Sequence, residues 1–497
     1  MTKIIATVYL LLTVYTAVAA RADEKPDSEL PARVATHHTI VLGDARLDYE
    51  AIAETLPVID AKGTVTASIY TTSYLVDSAT GGPRPVSFVF NGGPGAASVF
   101  LHLGALGPRV METRENGAVP SPPVRLVDNP ATWLRFTDLV FIDPVGTGFS
   151  RGKGKEENPD KPFWDVRADI SSLGTVIRLW LTRHQRWDAP VVLVGESYGG
   201  FRAAAMTQSL PRDVDVTVSG LVLISPALDL TALHQSERDL LATAFVLPSY
   251  AATAAALAGL PSGGEIAAAE RFSLSDYLVG LTAVKGQPPA GDPFIKRVAE
   301  IAGLSEEIVR RHRGRIPRHV FAREIRRTEG EIVSVYDGTI ARPAAPDEGE
   351  GGNDPVLQPA VAAYGTAFNT YLSEALGFRT DLPYRVLPKD VSQQWNWQGE
   401  RHEGGPGLAM SSLEAALLEH PGTKVLIVNG RYDLVTPYLA SRWLVDQLKI
   451  PATVRTGIRL RVYDGGHMVY MRPASRSLLA RDAAELYSSL GGNAPSQ

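Results

Sequence analysis

Cysteine is missing from all 497 residues. That excludes disulfides, a thiol nucleophile, a lipid-anchored cysteine and any cysteine-held metal. A strong charge of either sign is missing too: 49 Lys and Arg stand against 54 Asp and Glu, for a net charge of -5. With both signs spread along the chain, neither nucleic acid nor a membrane surface is expected as a partner. Internal repeats are lacking, and so are long apolar runs, apart from one near the start. That run, residues 4–20 behind Lys3, contains Thr7, Thr13, Tyr15 and Thr16 and is short for a membrane span. Val18-Ala19-Ala20 and Ala20-Arg21-Ala22 both fit a small-x-small cleavage pattern. An export signal over 1–22 is therefore expected, giving a periplasmic or secreted protein with no stable membrane insertion. An uncleaved anchor is the alternative. An exported chain without disulfides has to be held by its core alone.

Residues 36–80 alternate with period two, as antiparallel strands with one wet face do. The pattern then changes. Residues 86–90, 139–142, 191–194, 221–224, 425–428 and 460–463 are short, mostly apolar runs that end in Gly, Asp, Asn or Ser. Strands buried on both faces read this way. An α/β fold is expected, with a mostly parallel central sheet, antiparallel N-terminal strands and covering helices such as 165–184 and 411–419. The strand pattern lapses between 229 and about 410. An Ala-rich piece (251–258) and a basic piece (310–327, eight arginines in eighteen residues) precede a Pro-, Gly- and acid-rich loop at 343–355. The basic piece reads as a solvated helix face, with a binding patch as the alternative. The expected division is a core over 23–228 and 411–497, with a large inserted cap over 229–410.

Ligands in such sheets bind beyond the carboxyl ends of the strands. The unusual residues here fall there. Residues 191–194 run into Gly195-Glu196-Ser197-Tyr198-Gly199, a G-x-S-x-G turn that projects a serine between strand and helix. A serine hydroxyl needs a histidine to take its proton, and the histidine needs a carboxylate to fix its tautomer. Both stand downstream in the order Ser, Asp, His: Asp433 after one apolar run and His467 after the next. Asp464 is a rival acid on the histidine's own loop, whereas Asp433 follows a separate strand and is preferred. A tetrahedral intermediate also needs two donors. The Tyr198 amide is one, and the Asn91-Gly92-Gly93-Pro94-Gly95 loop after 86–90 is placed to give the other.

Together these segments resemble the serine carboxypeptidases, a family with the α/β-hydrolase fold. The N-G-G-P-G loop stands at 91–95, a D-x-P-x-G-x-G-F-S-like stretch at 143–150, and G-E-S-Y-G-G intact at 195–200. G-x-x-D and G-H follow at 430–433 and 466–467, so the likeness covers about 85–226 and 424–470. It implies Ser197 as nucleophile, His467 as general base and Asp433 as its orienting acid. It also implies oxyanion amides at Gly93 and Tyr198, and binding of the substrate's terminal carboxylate by Asn91 and Glu196. A protonated Glu196 can donate to a carboxylate, whereas an ionised one repels it. The implied activity is release of C-terminal residues from peptides through an acyl-enzyme, with no cofactor or metal. A serine esterase or acyltransferase on the same scaffold is the alternative.

Two departures stand out. Ala96-Ala97-Ser98 follows the N-G-G-P-G loop where the family commonly has small-Ser-Ser. Where the family has E-L-G-P, this chain has Ala105-Leu106-Gly107-Pro108. The missing glutamate would share a proton with Glu196, so its loss is expected to push Glu196 less strongly toward the neutral form. His102, three residues earlier, could supply a cation instead or simply be packed.

Overall fold

A computed structural model describes residues 30–77, 83–233, 238–260, 263–284, 286–345, 352–397, 405 and 407–490. The export signal expected at 1–22 lies outside them, as does part of the loop expected at 343–355.

Nine strands carry the main sheet: β1 (Arg33–Leu42), β2 (Ala45–Ile59), β3 (Val65–Val76), β4 (Val86–Phe90), β5 (Asp138–Ile142), β6 (Val191–Glu196), β7 (Val218–Ile224), β8 (Lys424–Gly430) and β9 (Ile458–Tyr463). Their order is β1-β2-β3-β5-β4-β6-β7-β8-β9, and Arg151–Gly152 adds a short tenth strand against β3. The pairs β1·β2, β2·β3 and β3·β5 are antiparallel. Every pair from β5·β4 to β8·β9 is parallel. The period-two stretch thus forms the antiparallel end, and the six apolar runs form the parallel part.

Alternation explains why those runs are apolar throughout. Leu193 of β6 packs into one core and Val192 and Val194 into the other; Leu221 and Leu223 of β7 oppose Val222 and Ile224 in the same way. Both faces are therefore dry. One is covered by α1 (Val166–Arg183), α2 (Tyr198–Val214) and α5 (Leu408–Glu419), the other by α4 (Leu357–Glu374) and α6 (Pro473–Ser488). The remaining long helix, α3 (Leu240–Leu257), is long and apolar enough to cross a membrane, but most of it is buried inside the fold. α1 begins at Asp165, whose carboxylate accepts from the amides of Arg167 and Ala168 at 2.9 Å. The edge strand β9 is the exception to the dry rule. Its Arg459 and Arg461 reach Glu485 and Asp482 on α6 at 2.9 Å.

Between β7 and β8 the chain also runs through α3 and several short helices, which form a core of their own. That core holds Tyr250, Tyr277 and Phe321, and it takes in Leu434 from just beyond β8. The Leu434 amide also donates to Val335 O at 3.1 Å, which ties this segment to the loop after β8. Within 310–327, Arg311, Arg326 and Arg327 are paired with Glu307, Glu331 and Glu324 at 2.7–2.8 Å.

Candidate active site

The carboxyl ends of β4, β6, β8 and β9 bring the expected residues together. Ser197 follows β6 with φ 59° and ψ -124°. A non-glycine residue at positive φ costs on the order of 1–3 kcal/mol. Each fully buried Val or Leu of the strand behind it contributes a similar roughly 1.5–3 kcal/mol, so the core can hold the turn. Local bonds help: the Ser197 amide donates to Ile224 O, and its carbonyl accepts from Gly200 and Ala227 at 2.9–3.0 Å. The motif's glycines are required by contact. A Cβ at Gly195 would sit 2.0 Å from Gly199 O, and one at Gly199 would sit 2.5 Å from Phe90 O.

Two loops supply the other members. His467 Nδ1 lies 2.8 Å from Asp433 Oδ2. Asp433 is fully buried and saturated with donors. Oδ1 accepts from the amides of Val435 (2.7 Å) and Thr436 (3.0 Å), and Oδ2 accepts from the Thr436 hydroxyl (2.6 Å) as well as from His467. Asp464 does none of this. Its side chain is 64% exposed and pairs with Arg431 at 3.1 Å, linking the two loops at the surface. Burial works against the Asp433 charge, but His467 and the donors outweigh it and hold its pKa below the ordinary value. Burial likewise opposes charge on His467, yet the charge and hydrogen bond of Asp433 win and raise its pKa. The Nε2 edge is left for a proton acceptor's work.

The loop after β4 lies directly against the serine turn. A Cβ at Gly92 would sit 2.5 Å from Tyr198 N and 2.9 Å from Ser197 Cβ, so the bare glycine keeps the Tyr198 amide open. Gly93 adopts φ 99°, a left-handed conformation suited to glycine. Among the described residues, neither the Gly93 nor the Tyr198 amide donates to a protein acceptor.

Asn91 and Glu196 also meet, and both are buried. Asn91 Nδ2 donates to Glu196 Oε2, as does the Tyr470 hydroxyl at 2.8 Å. Burial pushes the Glu196 carboxyl up to about 7 against the pull of His467 and these donors. The push expected from a second glutamate thus comes from burial. His102 supplies no cation. It is buried with Nε2 2.6 Å from the Tyr74 hydroxyl and stacks on Phe141 at 4.2 Å. Burial lowers its pKa to about 3.

Sequence reasoning missed several supports. Ser225, just past β7, donates to His467 O at 2.8 Å, and its carbonyl lies 3.0 Å from Thr436 Oγ1, whose proton goes to the closer Asp433 Oδ2. Tyr336 stands edge-on to the His467 ring at 5.4 Å. Arg202 is fully buried, pairs with Asp169 at 2.7 Å and donates to Asn91 O at 2.7 Å, propping the loop from below. Only Tyr470 carried a usable signal, since it lies three residues beyond His467.

The model of the serine carboxypeptidase family matches residues 74–244. That stretch, about a third of the chain, is similar to the serine carboxypeptidases. It includes Asn91, Gly93, Glu196, Ser197 and Tyr198 and stops short of Asp433 and His467. Among solved structures, the chain is similar to Kex1(delta)p, a prohormone-processing carboxypeptidase from Saccharomyces cerevisiae. The two share 16% identity and a TM-score of 0.51 over 93% of this chain and 92% of that one. It also resembles brefeldin A esterase, a bacterial homologue of human hormone-sensitive lipase (12%, TM-score 0.36, 94% and 80%). A third likeness is to the peroxisomal α/β-hydrolase Lpx1 of S. cerevisiae (12%, 0.39, 93% and 91%). No curated protein matches. At such identities the Kex1(delta)p likeness speaks for the fold alone, which is the α/β-hydrolase fold. The chain has the α/β-hydrolase fold, and its residues 74–244 match the serine carboxypeptidase family.

Proposed function

We propose that this protein is an exported serine carboxypeptidase that removes C-terminal residues from peptides through an acyl-enzyme. The observation that carries the reading is Glu196, held buried next to the serine and bonded to Asn91. A buried carboxyl with a pKa near 7 is neutral in mildly acidic medium and can donate to a peptide's terminal carboxylate.

Ser197 Oγ attacks the carbonyl carbon of the last peptide bond, and His467 Nε2 takes the hydroxyl proton. Asp433 holds Nδ1–H and steadies the imidazolium. The oxyanion settles on the Gly93 and Tyr198 amides. As the C–N bond breaks, His467 returns the proton to the leaving amine, releasing the C-terminal amino acid. Water, deprotonated by His467, then attacks the Ser197 ester, and the shortened peptide leaves with a new carboxylate.

The esterase or acyltransferase reading rests on Ala105, where the second acid is absent. Turnover of an N-blocked dipeptide, its C-terminal amide and its ester separates the two, beside fluorophosphonate labelling of Ser197. Preference for the free acid supports the carboxypeptidase. Equal or better turnover of the amide and ester at neutral pH would assign the esterase instead.

A further inference from the structure

Glu196 has lost its family partner, but the ground is not empty. The short helical turn His102–Leu106 carries Gly104 where any side chain would collide with aromatic rings. A Cβ at Gly104 would sit 2.7 Å from Tyr470 Cε2 and 2.4 Å from the Tyr364 hydroxyl. The glycine here makes room for Tyr470, whose hydroxyl donates to Glu196 Oε2.

The bonds around this pair have a fixed sense. Leu101 N donates to Asn91 Oδ1 at 3.0 Å, so the Asn91 amide must turn its NH2 toward Glu196. The Tyr470 hydroxyl gives its one proton to the same Glu196 oxygen at 2.8 Å. Oε2 therefore faces two donors. A proton on Oε2 would oppose both, so the neutral carboxyl must carry it on Oε1, the oxygen no described residue claims. The other titratable groups around Glu196 are His467 and Asp433 from the triad loops, and Tyr336 and Tyr364 from between β7 and β8. Behind them lies the buried Arg476, whose guanidinium is 3.5 Å from Tyr470 O and Gly104 O.

We propose that Tyr470 is a positioning residue that replaces the missing glutamate: it pins the Glu196 proton to Oε1 and so orients the donor that reads the substrate carboxylate. This rests on the carboxypeptidase reading above. A phenol differs from a second acid in one respect. Buried Tyr470 stays protonated, so it donates throughout the working range and never shares or removes the Glu196 proton. Glu196 then titrates alone, and recognition of the terminal carboxylate fades in a one-proton step as pH rises.

The test is the pH dependence of kcat and KM from pH 4 to 9 for an N-blocked dipeptide and its methyl ester, in the wild type and Tyr470→Phe. Loss of one hydrogen bond to the ionised carboxylate moves the alkaline limb up by about one pH unit. KM for the acid should rise about tenfold with kcat little changed, and the acid-over-ester preference should fall. An unmoved limb with unchanged KM, in an enzyme that still prefers the acid, overturns the role of Tyr470 and leaves the carboxypeptidase reading intact. A wild type with no preference for the acid overturns both. Should Tyr470→Phe fold poorly, Tyr470→Met, which also removes the hydroxyl, answers the same question: an alkaline limb at the wild-type pH with unchanged KM overturns the proposal.

Discussion

Replacing Asp433 by Asn tests the triad at its most determined point. Oδ1 receives two backbone amides, from Val435 at 2.7 Å and Thr436 at 3.0 Å. Those amides cannot turn away. The introduced asparagine must therefore keep its carbonyl oxygen toward them, because the opposite orientation would set N–H against N–H and leave two buried donors unmade, at about 1–3 kcal/mol each. The NH2 group then faces His467 Nδ1, now 2.8 Å from a donor rather than an acceptor. Nδ1 has to accept, the ring proton moves to Nε2, and Nε2 can no longer take the proton of Ser197. Loss of kcat by about 10⁴ is expected, or about 5 kcal/mol of barrier. Losing the Asp433 charge also lowers the His467 pKa, so residual activity should lose its acid limb at lower pH. The assay is steady-state ester hydrolysis, with circular dichroism to show that the fold persists. A folded variant within about tenfold of wild type would refute the reasoning and return Asp464 to contention.

Three further outcomes follow from the same contacts. Gly92→Ala puts a Cβ 2.5 Å from Tyr198 N, among backbone atoms that no rotamer can move; kcat should fall at least about 100-fold, as single-turnover kinetics will report. Arg202→Met strands the buried Asp169 carboxylate and removes the prop under Asn91. It should cost about 3–5 kcal/mol in stability and lower Tm by on the order of 5–10 °C in thermal unfolding. In wild type, kcat/KM for a free-acid dipeptide should be bell-shaped. His467 must be neutral, which sets the acid limb; Glu196 must be protonated, which sets the alkaline limb near its pKa of about 7. The matching ester, with no carboxylate to read, should keep only the acid limb.

Much of this was legible in the chain itself. Apolar runs ending in Gly, Asp, Asn or Ser read as strands buried on two faces, and β4 to β8 follow them closely, while β9 is a half-wet edge. Ser197, Asp433 and His467 each stand directly after such a strand, so strand order alone brings them together. What stayed hidden was contact between distant segments. Thr436 and Ser225 are residues that any loop might carry, and their value lies in bonds to Asp433 and to the His467 carbonyl, far from each in the chain. The pairing of Arg202 with Asp169 needs α1 and α2 to be side by side, which periodicity does not specify. Ala105 advertised a loss, but its compensation sits on the histidine loop, because Tyr470 folds back over Gly104. His102 looked available from spacing; packing against Tyr74 and Phe141 makes it neutral and turns it to the core.

The most direct test of the central claim is to incubate the protein with an unmodified decapeptide and follow the products by mass spectrometry in H2(18)O. The account predicts a ladder of losses from the C-terminus, with label entering each new terminal carboxylate. C-terminal amidation or Ser197→Ala should abolish the ladder. Equal trimming of the amidated peptide, or an untouched peptide beside rapid ester hydrolysis, would contradict it.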